Sequence, residues 1–333
     1  MTSLERILCR LKGKQVDKIP NLNIVMMFAA KQIDIPYGQY VTDYEKLVQG
    51  NLYCAEKFGI DAMSAISDPM REAAAFGANV IIPEDDVPYC SKNLLEDIED
   101  ISAIHIADPF SNSRTLDRIR AVERYHELVG NEYAIIGWVE GVLAEAADLR
   151  GVSELMLDLA TGEQDATGLF DLIFKQQCAF AKTQIDAGAH IIGIGNAVAS
   201  LIGPRLYQKY ALPYDKMLIE YIHSLHSYAK LHICGNITPL LPYLRETGTD
   251  ILDVDHMVDF GKTIQMFSDL PVSICGNMDP VSVFLQGDQK KVSNAVIKCI
   301  SSCNSTTMIA AGCEIPRHTP LENVKTMDNL LWL

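Results

Sequence analysis

The sequence predicts a (β/α)8 barrel of the TIM type, formed by residues 1–333 as a single domain. Six short apolar runs alternate with longer amphipathic segments from about residue 130 to the end, which is the pattern of β/α units around a parallel sheet. Two further apolar runs in the N-terminal third bring the number of predicted strands to eight. A count of strands does not show closure, so an open doubly wound sheet remains the alternative fold.

Each predicted strand leads into a loop. The strands are, in chain order, IPNLNIVMM (19–27), DAMSAIS (61–67), YAIIGWV (133–139), HIIGIGN (190–196), KLHICGN (230–236), DILDVD (250–255), VSICGN (272–277) and TMIAAG (307–312). Helices are predicted near 43–58, 165–187, 204–228, 237–247, 261–269, 289–303 and 320–331. Residues 77–113 are rich in proline and aspartate and predict a loop-rich insertion, an N-terminal elaboration over the barrel mouth.

Composition and charge exclude several classes of function. The formal net charge of -15 argues against nucleic acid, and the acidic residues are scattered rather than collected in a tail. No stretch approaches the roughly 20 apolar residues of a membrane span, and charged residues interrupt the first 14 positions. We therefore expect a cytoplasmic enzyme that acts on a small molecule. Nine cysteines, an odd number without framework spacing, predict no disulfides.

Three residues at predicted strand ends are candidate zinc ligands. His232 and Cys234 are two positions apart in a strand, so their side chains point the same way at its carboxyl end, where barrel active sites lie. Cys313 follows the last apolar run in the same kind of position. Three protein ligands leave the fourth tetrahedral position open, as in catalytic zinc sites. A centre with two sulfur ligands suits an incoming thiol, although a buried histidine and cysteine are the ordinary alternative.

Other side chains at the predicted mouth are candidates for the remaining site roles. We expect a catalytic carboxylate at Asp255 or Glu140, because a carboxylate near zinc can accept the proton of a thiol. The substrate-binding candidates are Asn196, Asn277, Arg71 and Trp138. Arg71 would meet an anionic group of the substrate, and Trp138 would form an apolar wall. Helix capping, loop solvation and core packing are the plainer readings of these residues.

Three segments carry a resemblance to a known family: LHICGNITPLLPYLRETGTDILDVD, ICGNMDPVSVFLQG and AAGCEIPRHTPLENVKTM. They resemble the uroporphyrinogen decarboxylase superfamily, and within it the zinc-dependent corrinoid methyltransferases. The resemblance implies that His232, Cys234 and Cys313 bind Zn²⁺. It also implies methyl transfer between a corrinoid, methylcobalamin, and a small thiol such as coenzyme M. The chain lacks a D-x-H-x-x-G run, so we expect the corrinoid to be supplied by a partner protein.

Three alternatives stay open at this point. A corrinoid-dependent demethylase would run the related reaction on a methyl ether or another methyl donor. A metal-free uroporphyrinogen decarboxylase needs basic residues near the N-terminus, yet no arginine lies between Arg10 and Arg71. A non-catalytic module that binds zinc or a corrinoid protein would hold the metal without turnover.

Overall fold

The computed structural model describes residues 1–333, apart from the side chain of residue 103. Seven parallel strands form one sheet, and each of them pairs with the next of the seven along the chain. Consecutive strands are neighbours throughout, without the reversal of order that defines a doubly wound sheet, so the predicted barrel is confirmed. The strands are β1 Ala62–Ser64, β4 Ala134–Glu140, β5 Ile191–Gly195, β6 Tyr228–Ile233, β7 Ile251–Val254, β8 Ser273–Met278 and β9 Met308–Ala311.

An irregular segment, residues 20–24, lies between the two edge strands of this sheet. Leu22 N–H donates to the carbonyl of Ile309 on β9, and Asp61 N–H, just before β1, donates to the carbonyl of Asn21. The Asn23 side chain accepts from the N–H of Ala311, where a regular strand would offer a backbone carbonyl. The first predicted strand therefore closes the barrel without forming a regular ladder.

Helices surround the sheet. They are α1 Ser3–Leu11, α2 Met27–Gln32, α3 Tyr37–Thr42, α4 Tyr44–Phe58, α5 Met70–Phe76, α6 Ser113–Val129, α7 Val142–Arg150, α8 Val152–Thr161, α9 Thr167–Asp186, α10 Gly203–Leu206, α11 Leu212–Ser224, α12 Leu241–Leu244, α13 Phe260–Met266, α14 Gln289–Ser302 and α15 Leu321–Leu330. The predicted helix over 204–228 is divided by a π-helical segment, Tyr207–Ala211. The sequence pattern did not predict helices α1, α2, α3, α5, α6, α7 and α8.

Strand alternation separates two packed layers. Ala134, Ile136 and Trp138 of β4 point into the barrel, where they join an inner cluster, whereas Ile135 and Val139 point out into the larger core under the helices. Side chains two positions apart share a face of a strand. The same rule places the functional side chains of each strand end on the inner face.

Ion pairs close the amino-terminal end of the barrel. Arg6 Nη1 lies 2.6 Å from Asp61 Oδ1, and Lys18 Nζ lies 3.3 Å from Asp61 Oδ2 and 2.5 Å from Asp328 Oδ1. Arg6, Lys18 and Asp61 are buried. These contacts join helix α1, the segment after it and helix α15.

The predicted insertion carries little regular structure. Residues 77–112 contain the two-residue strands β2 Val80–Ile81 and β3 Tyr89–Cys90 and a 3-10 turn, Ile101–Ala103. Asp85 lies 2.5 Å from Arg317, which follows Cys313 by four positions, so the insertion contacts the mouth side of the barrel. Within the described chain, no helix has both the length and the apolar character needed to cross a membrane.

Candidate metal centre and active site

His232, Cys234 and Cys313 come together at the carboxyl end of the barrel. His232 points inward near the end of β6, Cys234 starts the following loop, and Cys313 follows β9. His232 Nε2 lies 3.0 Å from Cys234 Sγ, which lies 3.5 Å from Cys313 Sγ. All three donor atoms lie within 4.8 Å of one another. Tetrahedral zinc places such donors about 3.5 to 3.8 Å apart, so this set fits a zinc ion with small adjustments.

Gly312 brings the Cys313 loop close to the end of β7. A Cβ at Gly312 would lie 2.5 Å from the backbone nitrogen of His256 and 3.0 Å from Asp255 Cα. Asp255 Oδ2 in turn accepts from the N–H of Gly235, next to Cys234. The loops after β6, β7 and β9 are therefore tied together around the three candidate ligands.

Hydrogen bonding within the cluster favours a thiolate at Cys313. The hydrogen bond from Cys234 lowers the pKa of the Cys313 thiol, and the same bond raises the pKa of Cys234. Burial opposes the charged form of His232, but its neighbours Asp253 and Cys313 raise its pKa to about 9. Metal ligation needs thiolates and a neutral imidazole, so binding of a metal displaces protons from this cluster.

A buried ion pair lies beneath the cluster. Asp253 Oδ2 lies 3.3 Å from His232 Nδ1 and also pairs with Lys230, whose side chain is only 2% exposed and lies over the Trp138 ring. Burial alone would raise the pKa of Asp253, but the charges of Lys230 and His232 lower it to about 2. A charged carboxylate behind a ligating histidine fixes the ring and its tautomer.

A cavity of about 150 Å³ opens on the cluster. Its walls are largely apolar and include three carboxylates; the lining residues are Ile24, Met26, Ile66, Asp68, Pro69, Trp138, Glu140, Gly195, Ala197, His232, Cys234, Cys313 and Glu314. Burial raises the pKa of Glu140 to about 8 and that of Glu314 to about 7. The cavity thus joins the candidate metal centre to carboxylates that are poorly solvated.

Of the other predicted site residues, Trp138 and Glu140 line this cavity. Arg71 does not line it: its buried guanidinium lies behind Glu140, with Nη2 2.7 Å from Glu140 Oε1. Asp255 lies beside the cluster, and each of its carboxylate oxygens accepts a backbone N–H, from Gly235 and from Met257. Asp255 therefore holds the loops after β6 and β7 in place.

The two predicted asparagines face protein groups. Asn196 donates to Asp215 Oδ1 at 3.0 Å, because the alternation in β5 turns Gly195 inward and Asn196 outward. Asn277 donates to the backbone carbonyls of Asp255 and Val258, at 3.2 and 2.7 Å. Neither asparagine lines the cavity, so a substrate-binding role gains no support from their placement.

Four residues of the site were not predicted from the sequence as functional candidates: Lys230, Asp253, Asp68 and Glu314. Lys230 and Asp253 each lie two positions before a predicted site residue, so strand alternation places them on the same inner face. Glu314 directly follows Cys313, and its Oε1 accepts from the N–H of Met27 at 2.6 Å. Asp68 pairs with Arg114 at 2.5 Å, a contact between distant parts of the chain that no local pattern predicts.

The family model described as Uroporphyrinogen decarboxylase (URO-D) matches residues 2–331. The chain therefore belongs to the uroporphyrinogen decarboxylase family.

Curated relatives in this family differ in their named activities. A methylcobamide:CoM methyltransferase of Methanosarcina mazei is 29% identical, over 98% of this chain and 96% of its own length. A methylated-thiol–coenzyme M methyltransferase of the same organism is 24% identical, over 98% of this chain and 88% of its own length. A uroporphyrinogen decarboxylase of Trichodesmium erythraeum is 25% identical, over 80% of this chain and 76% of its own length.

A solved structure supports the fold. A methyltransferase from Methanosarcina mazei superposes with a TM-score of 0.88 at 23% identity, and the match covers 98% of this chain and 97% of that one. The whole barrel, including its N-terminal third, therefore has a known counterpart.

Proposed function

We propose that this chain is a methyltransferase that moves a methyl group between a corrinoid, carried by a separate protein, and a small thiol. The observation that carries the proposal is the convergence of His232, Cys234 and Cys313 on one cavity at the barrel mouth. The similarity to methylcobamide:CoM methyltransferases along nearly the whole chain supports it. Coenzyme M, the thiol in those names, is the first acceptor to test.

The three donors suit zinc as the resident metal. Two thiolates and one imidazole balance the charge of Zn²⁺ and leave one tetrahedral position for a substrate. When bound, zinc supplies a site at which a thiol is held as its nucleophilic thiolate near neutral pH. His232, Cys234 and Cys313 would hold it.

The remaining residues of the chain orient this centre and shield it from water. The Asp253 carboxylate lies 3.3 Å from Nδ1 of His232 and favours the ring orientation in which Nε2 faces the two sulfurs. Asp255 fixes the loop that carries Cys234 through the N–H of Gly235. Of the two carboxylates predicted to be catalytic, Glu140 lines the cavity and Asp255 does not, and Arg71 donates a hydrogen bond to Oε1 of Glu140. Apolar walls keep the cavity poor in water, which preserves the reactivity of a thiolate.

The cavity argues against a tetrapyrrole decarboxylase. Among the described residues that line it there is no lysine or arginine, and its ionisable side chains include the acidic residues Asp68, Glu140 and Glu314. A porphyrinogen with many carboxylates needs a basic site.

Two measurements on the purified protein test the proposal: zinc content, and thiol-dependent loss of the methyl–cobalt absorbance of free methylcobalamin. We expect one zinc per chain and loss of absorbance only when a thiol is present. Zinc without demethylation would move the proposal to the methyl-donor side of the pathway, and a protein without metal would refute it. Cys234→Ala and Cys313→Ala are expected to abolish both signals. Cys178→Ala, which changes a cysteine of helix α9 outside the candidate ligand cluster, is the matched control.

A further inference from the structure

Two cysteine side chains face each other at the cavity. Cys234 Sγ and Cys313 Sγ lie 3.5 Å apart, and both residues are half-buried and line the cavity. A disulfide holds its sulfur atoms about 2 Å apart, so its formation needs an approach of about 1.5 Å. Rotation of the two side chains about their Cα–Cβ bonds covers a movement of this size.

This pair is distinct from the other cysteines of the chain. All nine cysteines are free, and among the described side chains the only hydrogen bond that joins two cysteine sulfurs is that between Cys234 and Cys313. The described lining of the cavity contains no third cysteine. Of the remaining cysteines, Cys54, Cys275 and Cys299 are buried. A small reagent that enters the cavity therefore meets two thiols next to each other.

Contacts that do not involve a metal keep the two cysteines together. The N–H of Gly312, just before Cys313, donates to a carbonyl at the end of β8 at 2.7 Å. The N–H of Gly235, just after Cys234, donates to Asp255 Oδ2 at 3.0 Å. The backbone next to each cysteine is thus anchored to a neighbouring strand or loop. The two sulfurs therefore remain neighbours whether or not a metal binds them.

A disulfide and a zinc ion exclude each other at this centre. Zinc binds cysteine as the thiolate, through an electron pair on sulfur. A disulfide has lost both thiolates to the bond between the sulfurs, so His232 alone of the three donors would remain. Zinc in turn protects both sulfurs from oxidation, because it engages the electron pairs that would attack an oxidant.

We infer that Cys234 and Cys313 form a redox-active pair whose disulfide state blocks the candidate metal centre. The inference rests on the proposed function, because the same two cysteines are the proposed zinc ligands. The oxidant is a small disulfide, RSSR, which is the oxidised form of the acceptor thiol and reaches the two cysteines through the same cavity. Oxidation of the acceptor would thus inactivate the enzyme that uses it.

The reaction consists of two thiol–disulfide exchanges. One cysteine thiolate attacks a sulfur of RSSR, the S–S bond of RSSR breaks, and a mixed disulfide and RS⁻ form. The second cysteine attacks the cysteine sulfur of the mixed disulfide and displaces a second RS⁻. The two protons of the cysteine thiols pass to the two RS⁻ ions. The chain is oxidised by two electrons, and one RSSR is reduced to two RSH.

Peptide mapping by mass spectrometry tests the pairing. Chain stripped of metal by a chelator and chain loaded with zinc are exposed, without air, to 2-hydroxyethyl disulfide, and the remaining thiols are alkylated before digestion. We expect most of the Cys234 peptide of the stripped chain to be linked directly to the Cys313 peptide. The linked fraction is expected to be at least tenfold smaller in the zinc-loaded chain. Linkage to a different cysteine, or mixed disulfides with the reagent alone, would overturn the inference.

Zinc affinity measures the effect of the disulfide on the centre. In competition with a chromophoric chelator, the oxidised chain is expected to bind zinc about 100-fold more weakly than the reduced chain. Dithiothreitol is expected to restore the affinity of the reduced chain. Cys178→Ala, the matched control, should show the same loss and recovery. Unchanged affinity after oxidation, or loss that disappears in Cys178→Ala, would contradict the assignment.

Single-cysteine variants separate the two exchanges. In Cys234→Ser and Cys313→Ser the remaining cysteine has no thiol partner, so we expect it to keep one mercaptoethanol group as a mixed disulfide. Absence of this adduct from both variants would show that neither cysteine reacts. The mapping needs no turnover: a linked pair without demethylation of methylcobalamin would leave the redox pair standing and refute the proposed reaction. Methyl transfer without a linked pair would refute the redox pair alone.

Discussion

The buried carboxyl of Asp215 makes the free energy of unfolding depend on pH, and Asp215→Asn isolates that dependence. Asp215 is buried on helix α11, where Asn196 and Tyr207 donate hydrogen bonds to it. Burial raises its pKa from 3.8 to about 7. The folded chain therefore holds this proton more tightly than the unfolded chain, so the stability contributed by the group falls as pH rises from about 4 through about 7.

The size of the effect follows from this shift. Between pH 5 and pH 8 the ionisation of Asp215 is expected to lower the unfolding free energy by about 2 to 3 kcal/mol. Asparagine does not titrate, so the variant loses this dependence while keeping the shape of the side chain. Loss of one acceptor for Asn196 or Tyr207 adds a cost that does not change with pH.

Urea unfolding of both proteins, followed by circular dichroism at pH 5 and pH 8, measures the difference. Asp215→Asn is expected to gain about 2 to 3 kcal/mol relative to the wild type on going from pH 5 to pH 8. Asp186→Asn on the exposed end of helix α9 is the matched control, and its difference from the wild type is expected to be the same at both pH values. A gain below about 1 kcal/mol, or one of opposite sign, would show that Asp215 stays charged in the folded protein.

Three further predictions concern the metal centre and the stability of the barrel. Asp253→Asn is expected to weaken zinc binding about 10- to 100-fold in competition with a chelator, because His232 loses the carboxylate behind it; unchanged affinity would contradict this role. Lys18→Met leaves the buried Asp61 without one of its cations and is expected to cost about 3 kcal/mol in urea unfolding, with zinc content unchanged. Asn277→Ala is expected to cost about 2 kcal/mol in the same assay, because two backbone carbonyls lose their donor. Its KM for the thiol should stay within about twofold of the wild-type value. A larger increase would show that Asn277 contacts the substrate.

Most of the correct predictions about strands and inward-facing residues rest on the two-residue periodicity of strands. All six C-terminal strands lie within three residues of their predicted bounds, and side-chain alternation correctly placed His232 and Cys234 together at the mouth. The same rule, counted from Ile191, turns Gly195 rather than Asn196 toward the cavity. The sequence pattern predicted that Asn196, the polar residue at the end of this strand, faces the cavity. In the structure its side chain points outward to Asp215.

Other features depend on contacts between distant parts of the chain. Residues 19–27 predict a strand because they are mostly apolar, yet the pairing of this segment uses the Asn23 side chain against β9. No local pattern predicts a side chain that replaces a ladder bond. Similarly, Arg71 has the sequence context of an exposed loop residue, and only the folded barrel shows that Glu140 neutralises it in the interior.

The candidate ligands are unevenly spaced along the chain, and this spacing imposes an order on assembly. His232 and Cys234 are neighbours, whereas Cys313 lies 79 positions beyond Cys234, after three further β/α units. A nascent chain can offer two donors early, but the third arrives only when β9 has docked beside β8 and the 20–24 segment. Metal binding is therefore expected to stabilise the part of the barrel that is synthesised last. Amide exchange in the β9 loop should slow on metal loading, while exchange around helix α1 at the opposite end should not.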